Sequence, residues 1–500
     1  MYDITIIGGG IIGTSVAREL SKYKLNVALI EEENDIANGT TKANSAIVHA
    51  GYDPNSETLK AKLNVRGNKL FYKICNELDV PFKRIGSLVL AFNQEEMVKI
   101  NKLYNKGLIN GVPNVEIVNR KRLIELEPNV SSNALGGLYA PTTGIVSPWE
   151  LAIALSENAV ENGTQLFLDT EVIDIKKEES NYRVITKYKQ FKTKYIINCA
   201  GLHADEINNM VNSDSLKIQP NRGQYFLFDK GIENMVNTVV FQCPSEKGKG
   251  VVVLPTIHGN LLLGPTSEKA YDKESFRTTV EGLDVLKKEG ARVIANLPFD
   301  KLITSFSGLR AKSYTGDFII EESRESNGFI NVAGIDSPGL SAAPAIAEHV
   351  VEILHKIHEG LEKKEDFNPL RKKEMRFMEL SYDEKNEIIN NNPQYGRVIC
   401  RCENITEGEI VDAIHRKVGA RTVDGVKKRV RCGMGRCQGG FCGHKVMEII
   451  ARELKVDITE VEKDKKGSYI LTSSKDANEM YNKINEVVVL MVKSQGENVG

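Results

Sequence analysis

Near its N-terminus the chain reads Asp3-Ile4-Thr5-Ile6-Ile7-Gly8-Gly9-Gly10-Ile11-Ile12-Gly13, and 23 residues after Gly8 it reaches Glu31. An apolar, β-branched run leads into a Gly-x-Gly-x-x-Gly turn, a helical pattern follows, and a second apolar run, Val27-Ala28-Leu29-Ile30, ends at the acid. This order of strand, glycine turn, helix, strand and acid predicts a dinucleotide-binding βαβ unit. FAD and NAD both remain open on this pattern alone.

The glycines of the turn have separate physical roles. Gly8 permits a tight turn, Gly10 lets backbone N–H groups approach a pyrophosphate, and Gly13 lets the helix pack close to the strand. The positive end of the helix dipole then faces the phosphates. We expect Glu31 to accept hydrogen bonds from the hydroxyls of an adenosine ribose.

Composition limits the class of protein. The 500 residues predict two or three domains, and 41% hydrophobic with 27% charged residues is typical of a globular chain with a full core. A net charge of −1 excludes global attraction to nucleic acid. No apolar run approaches the ~18 residues of a membrane-spanning helix, and the chain starts without a basic leader segment. We therefore expect a cytoplasmic protein without a transmembrane segment.

The order of patterns predicts an α/β fold with a discontinuous arrangement of domains. Helix and strand patterns alternate over residues 1–80, 148–212 and 305–365, which we assign to a Rossmann-like nucleotide-binding domain. Strand-rich patterns over 81–147 and 213–304 predict a β-rich substrate domain.

The C-terminal part of the chain has a different composition. Residues 366–395 are polar and predict a linker, residues 396–450 predict a small helical domain, and residues 451–500 form a tail.

The eight cysteines are unevenly distributed. Cys75, Cys199 and Cys243 lie singly in apolar surroundings and are predicted to be buried structural thiols. Five more lie within 43 residues, and in a reducing cytosol such crowding indicates metal or redox chemistry rather than disulfides. These five are Cys400, Cys402, Cys432, Cys437 and Cys442.

Several motifs in one order resemble the FAD-dependent D-amino-acid-oxidase superfamily over about residues 1–365. Besides the glycine turn, they are Asn44-Ser45-Ala46-Ile47-Val48-His49-Ala50-Gly51, Arg222-Gly223-Gln224-Tyr225, Gly259-Asn260-Leu261-Leu262-Leu263-Gly264-Pro265-Thr266, Gly308-Leu309-Arg310 and Ser337-Pro338-Gly339-Leu340. Within the superfamily they look most like FAD-dependent glycerol-3-phosphate dehydrogenases and short glycerol-3-phosphate oxidases.

This resemblance implies FAD rather than NAD as the cofactor. The residues that it places against FAD are Gly8, Gly10, Ile12, Gly13, Glu31, Thr41, Ser45, Val172, Gly201, Gly334, Ser337 and Gly339.

The cysteine cluster resembles the [2Fe-2S] domain named after bacterioferritin-associated ferredoxin, which is similarly attached to anaerobic glycerol-3-phosphate dehydrogenases. A [2Fe-2S] cluster needs four thiolates, and C-x-C with C-x4-C supplies them, whereas these are poor spacings for a zinc ribbon. Spacing alone leaves Cys432-x4-Cys437 and Cys437-x4-Cys442 equivalent. The resemblance favours Cys400, Cys402, Cys437 and Cys442 as ligands, with Cys432 as the spare.

Oxidation of an alcohol by a flavin requires a base for the hydroxyl proton and cations that hold an anionic substrate. The resemblance implies His49 as the base, and histidine changes protonation near neutral pH. It implies Arg310 as the anion clamp, since a planar guanidinium binds phosphate or carboxylate oxygens in pairs. Lys249 resembles a lysine of the soluble oxidases and would add charge for a phosphate.

The function implied is oxidation of sn-glycerol 3-phosphate to dihydroxyacetone phosphate by a FAD-dependent dehydrogenase. Because the [2Fe-2S] cluster carries one electron, we expect electrons to pass through it to an acceptor protein or a quinone-linked subunit, which would also bring the chain to the inner face of a membrane. The alternatives are an L-2-hydroxyglutarate dehydrogenase, with Arg310 on a carboxylate, and a flavin and iron–sulfur module without turnover. The presence of both His49 and Arg310 argues against the last.

Overall fold

Two compact units make up the chain, Met1–Glu374 and Met375–Gly500. The computed structural model describes four stretches of it, residues 1–213, 216–244, 250–358 and 360–472. No helix within these stretches has the length and apolar content needed to span a bilayer.

The first unit mixes strands and helices throughout. Its described strands are β1 (Tyr2–Ile7), β2 (Val27–Ile30), β3 (Ile47–Val48), β4 (Phe82–Arg84), β5 (Ser87–Ala91), β6 (Glu116–Asn119), β7 (Gly136–Ala140), β8 (Gly144–Val146), β9 (Gln165–Phe167), β10 (Val172–Lys177), β11 (Tyr182–Thr186), β12 (Gln190–Asn198), β13 (Ile218–Phe228), β14 (Val239–Gln242), β15 (Val252–Pro255), β16 (Leu261–Gly264), β17 (Glu268–Lys269), β18 (Leu302–Ser313), β19 (Ile319–Glu322) and β20 (Phe329–Ala333). Its described helices are α1 (Ile11–Leu20), α2 (Leu59–Glu77), α3 (Gln94–Ile109), α4 (Arg120–Leu126), α5 (Pro148–Glu161), α6 (Ala204–Asn209), α7 (Val280–Val293) and α8 (Gly339–Ile357).

One sheet is built around the first strand, as the glycine motif predicts. The strand order is β10-β11-β12-β1-β2-β9, and β20 joins beside β12 with β19 outside it. β1 is parallel to both β2 and β12, and β20 is parallel to β12. Val16, Ala17 and Leu20 of α1 are fully buried, which confirms the helical pattern. Since carboxyl ends of parallel strands meet at one edge, the loops after β1, β12 and β20 lie together.

The second sheet carries the β-rich part of the unit. Its order is β17-β13-β16-β15-β14-β5-β7-β6, with β18 paired along β13. Successive residues of its strands enter two different apolar clusters, Tyr225 and Phe241 in one and Phe226 and Val240 in the other, because side chains alternate across a strand. The two faces of this sheet are therefore both buried over much of their area.

The long strand β18 lies in this second sheet, whereas the predicted boundary assigned residues from 305 onward to the nucleotide-binding segments. Eleven residues of β13, from Ile218 to Phe228, pair antiparallel with β18. After Leu302 and Ile303 the strand continues with Thr304, Ser305 and Ser307, so its sequence lacks the regular apolar alternation that would mark it. A small third sheet joins β3, β8 and β4.

The second unit has short strands and amphipathic helices. They are β21 (Val398–Cys400), β22 (Ile405–Thr406), α9 (Tyr382–Asn391), α10 (Glu407–His415), α11 (Val423–Val430) and α12 (Gly443–Leu454). Thr406 and Glu409 form a capping box that starts α10. Ile410, Val426 and Ile450 pack in one core with the buried cysteines.

The segment 366–395, predicted as a linker, contains ordered structure on both sides of the division between the units. Arg371 is buried in the first unit and pairs with Glu157 of α5. A capping box at Ser381 begins α9 in the second unit. Of the predicted tail 451–500, the described part ends at residue 472.

Candidate functional site

The glycine turn leaves no room for side chains where a cofactor phosphate is expected. Gly8 has a φ of +107°, and a Cβ there would lie 2.5 Å from the carbonyl oxygen of Cys199, at the end of β12. A Cβ on Gly13 would overlap the carbonyl oxygen of Gly8. The close backbone packing of this cradle fits the approach of a pyrophosphate.

Glu31 lies at the end of β2 with its carboxylate turned back to the glycine turn. Its Oε2 accepts a hydrogen bond from Gly9 N at 2.5 Å, and its Oε1 accepts one from Glu33 N at 3.0 Å. Burial raises the pKa of this carboxyl to about 7, and the two backbone hydrogen bonds oppose that shift. A buried acid at this position fits an adenosine ribose.

The other predicted cofactor residues lie around the same edge of the first sheet. Gly201 and Gly334 have φ values of +57° and +66° and follow β12 and β20. Ser337 and Gly339 lead into α8, and Gly339 N donates to Asp336 O at 2.6 Å.

Three more of the residues predicted to bind FAD lie at α1 or in the apolar core beside β1 and β2. Thr41 Oγ1 accepts a hydrogen bond from Ile11 N at 2.9 Å, while Ile12 is buried in α1. Val172 packs in the apolar cluster that holds the ends of β1 and β2.

The loop from Ala43 to His49 runs across strands of the second sheet. A Cβ on Gly308 of β18 would overlap the carbonyl oxygen of Ala43. The Ser45 hydroxyl lies 3.3 Å from the Tyr225 hydroxyl of β13, and the His49 ring centroid lies 5.9 Å from that of Phe241 in β14. This loop therefore joins the glycine-turn region to the sheet predicted to hold the substrate.

His49 is held through its backbone and lines a cavity. Its N–H donates to Ser341 Oγ at 2.7 Å, and its carbonyl accepts from Asn68 Nδ2 at 3.1 Å. The cavity is lined by His49 together with Tyr52, Phe241, Gln242 and Pro338.

Arg310 is fixed on β18 by neighbours from β13. Its Nη1 donates to Asn221 Oδ1 at 2.8 Å and lies 3.4 Å from Thr266 O. A Cβ on Gly223 would overlap the guanidinium, so only glycine leaves the space that Arg310 occupies. The second predicted substrate cation, Lys249, lies outside the described residues.

Sequence reasoning gave no role to Asn221, Gly223 or Tyr225, all of which support these side chains. They occupy alternate positions of β13 and so share one face of the strand. That period of two shows that they share a face of the strand, but it does not show that this face meets Arg310 of β18.

The cysteines of the second unit form two groups of sulfur atoms. The Sγ atoms of Cys400, Cys432 and Cys442 all lie within 4.8 Å of one another, and all three residues are buried. The Sγ atoms of Cys402 and Cys437 lie 3.7 Å apart. Hydrogen bonds from Cys432 and then Cys442 lower the pKa of the Cys400 thiol. This donor set, all sulfur and converging, fits an iron–sulfur cluster, and the geometry does not set Cys432 apart as a spare.

The remaining cysteines behave differently. Cys75, Cys199 and Cys243 are buried, as predicted, and burial raises the pKa of Cys75 to about 12 and that of Cys243 to about 11. They are structural thiols.

A glycine-turn cradle with a buried acid, beside a sheet that presents a held arginine, defines a dinucleotide-dependent oxidoreductase. Residues 3–353 match the family described as FAD dependent oxidoreductase, and residues 398–452 match the BFD-like [2Fe-2S] binding domain. The chain belongs to the FAD dependent oxidoreductase family. It is an enzyme of that class, and its cofactors are FAD and a [2Fe-2S] cluster.

Similar proteins cover most of the chain. It is 59% identical over 472 residues to a protein of Caloramator mitchellensis named glycerol 3-phosphate dehydrogenase. The aligned region covers 94% of this chain and 98% of that protein. It is 30% identical to human mitochondrial L-2-hydroxyglutarate dehydrogenase, over 61% of this chain and 70% of that one. A solved structure, the dithionite-reduced, FAD-bound L-alpha-glycerophosphate oxidase of Mycoplasma pneumoniae, matches with a TM-score of 0.71 and 34% identity over 74% of this chain and 98% of that chain.

Proposed function

We propose that this enzyme oxidises sn-glycerol 3-phosphate to dihydroxyacetone phosphate. The observation that carries the proposal is the 59% identity, over 94% of the chain, to a protein named glycerol 3-phosphate dehydrogenase. Bound FAD supplies a hydride acceptor, and the [2Fe-2S] cluster supplies a one-electron carrier.

Arg310 holds the phosphate of the substrate in this proposal. Nη1 donates to Asn221 Oδ1 and to Thr266 O, and Nη2 also donates to Thr266 O at 3.4 Å. The Nε–H and the second Nη2–H are then left for paired phosphate oxygens. Lys249 adds charge to the same anion. Such contacts fix the substrate so that its reacting carbon is oriented productively, which lowers the barrier by avoiding the entropy cost of alignment.

His49 accepts the proton of the hydroxyl that is oxidised. Its backbone is held by Ser341 and Asn68, and it lines the cavity beside Phe241. A base held in this way removes the proton of the hydroxyl that is oxidised.

The acceptor of the electrons, in this proposal, is a partner protein or a quinone-linked subunit, which brings the chain to the membrane surface. A one-electron carrier in the same chain favours such an acceptor.

The competing substrate is L-2-hydroxyglutarate, which is supported by the 30% identity to the human L-2-hydroxyglutarate dehydrogenase.

An anaerobic titration of the purified holoenzyme tests the substrate. We expect sn-glycerol 3-phosphate to bleach the flavin absorption band and then to produce the electron paramagnetic resonance signal of the reduced cluster. L-2-Hydroxyglutarate, added to a separate sample, should leave the flavin oxidised. If only L-2-hydroxyglutarate bleaches the flavin, the substrate is the hydroxy acid and not the phosphate. If neither compound bleaches a flavin that dithionite can reduce, both substrate assignments are rejected.

Two variants test the residues in the same titration. Arg310→Ala should raise the substrate concentration needed for bleaching by about 100-fold, because hydrogen bonds to charged groups contribute about 1.5–3 kcal/mol each. His49→Gln should slow bleaching by about 100-fold or more, the usual contribution of a general base. Arg122→Ala, which removes an exposed arginine that pairs with Glu125, serves as the control and should behave as the wild type.

A further inference from the structure

The five clustered cysteines supply one more thiol than a [2Fe-2S] cluster requires, and the structure divides them unequally. Cys402 and Cys437 form a pair with 3.7 Å between their sulfurs. Two sulfurs on one tetrahedral metal ion, with bonds of about 2.3 Å, lie about 3.8 Å apart. The pair is thus spaced to hold one iron.

The other group holds three sulfurs for the two remaining ligand positions. Cys400, Cys432 and Cys442 are 1%, 2% and 2% exposed, and their sulfurs lie within 4.8 Å of one another. Cys432 and Cys442 lie at equal sequence distance on either side of Cys437. They reach Cys400 from different elements, since Cys432 follows the end of α11 and Cys442 is the residue that begins α12.

We propose that Cys402 and Cys437 hold one iron, and that Cys400 holds the other together with either Cys432 or Cys442, which are interchangeable ligands. The thiol left over remains in the apolar core beside Val426, Val446 and Ile450. Loss of one of the two ligands is therefore compensated by the other.

The test uses the full-length protein with its cluster, and it measures iron content and visible absorption rather than turnover. Cys432→Ala and Cys442→Ala should each keep about two iron atoms per chain with an all-thiolate spectrum. The double variant should lose the cluster. Complete loss in either single variant would overturn the interchange, and so would retention in the double variant.

Serine variants make the result independent of whether the double variant folds. In Cys442→Ser the cluster should keep its wild-type absorption and electron paramagnetic resonance spectra, because the thiol of Cys432 replaces the lost one. A spectrum shifted by an oxygen ligand would mean that the introduced hydroxyl binds iron in place of the Cys432 thiol, and the proposal would fail. Cys402→Ala should lose the cluster, since the pair has no substitute, and Cys75→Ala in α2 is the control for loss of a buried thiol.

Discussion

Arg310 Nη1 donates a hydrogen bond to Asn221 Oδ1 at 2.8 Å, and the two residues face each other directly in the pairing of β18 with β13. The amide nitrogen of Asn221 donates to Glu268 O at 3.0 Å, which fixes the side chain with its oxygen toward the guanidinium. If Arg310 holds the substrate anion as we propose, Asn221 is a positioning residue that acts on the substrate through Arg310.

Asn221→Ala should raise KM for the anionic substrate about tenfold and change kcat little, because a hydrogen bond of about 1–1.5 kcal/mol that orients the clamp is lost. Steady-state kinetics with an artificial electron acceptor measure both constants. Asn221→Asp should raise KM further, since a carboxylate at this place neutralises the guanidinium. A KM equal to that of the wild type in both variants would show that Asn221 has no positioning role.

Glu31 should make FAD affinity depend on pH. In the protein without FAD, burial raises the pKa of this carboxyl from 4.5 to about 7, so it is largely protonated below that pH. Ribose hydroxyls donate to the ionised form, and binding then releases a proton. The dissociation constant of FAD should fall as pH rises from about 5 toward 7, by at most tenfold per pH unit, and level off above.

Glu31→Gln is the matched variant, because it keeps the shape and removes the titration. Fluorescence titration of the apoprotein with FAD should give a pH-independent dissociation constant for Glu31→Gln, weaker at pH 8 than that of the wild type by about 1.5–3 kcal/mol. An unchanged pH dependence in the variant would assign the titration to another group.

The parts of the fold that follow local sequence periodicity were predictable. β1, α1 and β2 lie where the glycine motif and the acid put them. The supports of Arg310 were not predictable from local sequence, since Asn221 is 89 residues away and its contact exists only through the pairing of β13 with β18. The grouping of Cys432 and Cys442 with Cys400 likewise depends on how α11 and α12 pack, which the spacing of the cysteines does not show.

The buried ion pair between Arg371 and Glu157 should control the stability of the first unit. The Nε atom of Arg371 lies 2.5 Å from Glu157 Oε2, with side chains only 3% and 8% exposed, and Nη2 reaches Glu374. Arg371→Met should lower the free energy of unfolding by about 3–5 kcal/mol, because it leaves buried carboxylates without their cation. Chemical unfolding followed by flavin release measures this.

An exposed ion pair is the control that separates the effect of burial on stability from the effect of losing a charge. Arg66→Met breaks the pair with Glu348 at 2.9 Å, whose side chains are 55% and 33% exposed, and should cost less than about 1 kcal/mol. Adding Glu157→Gln to Arg371→Met should restore part of the loss, since the uncompensated charge is removed. Equal effects of Arg371→Met and Arg66→Met would mean that segment 366–374 does not stabilise the first unit through this contact.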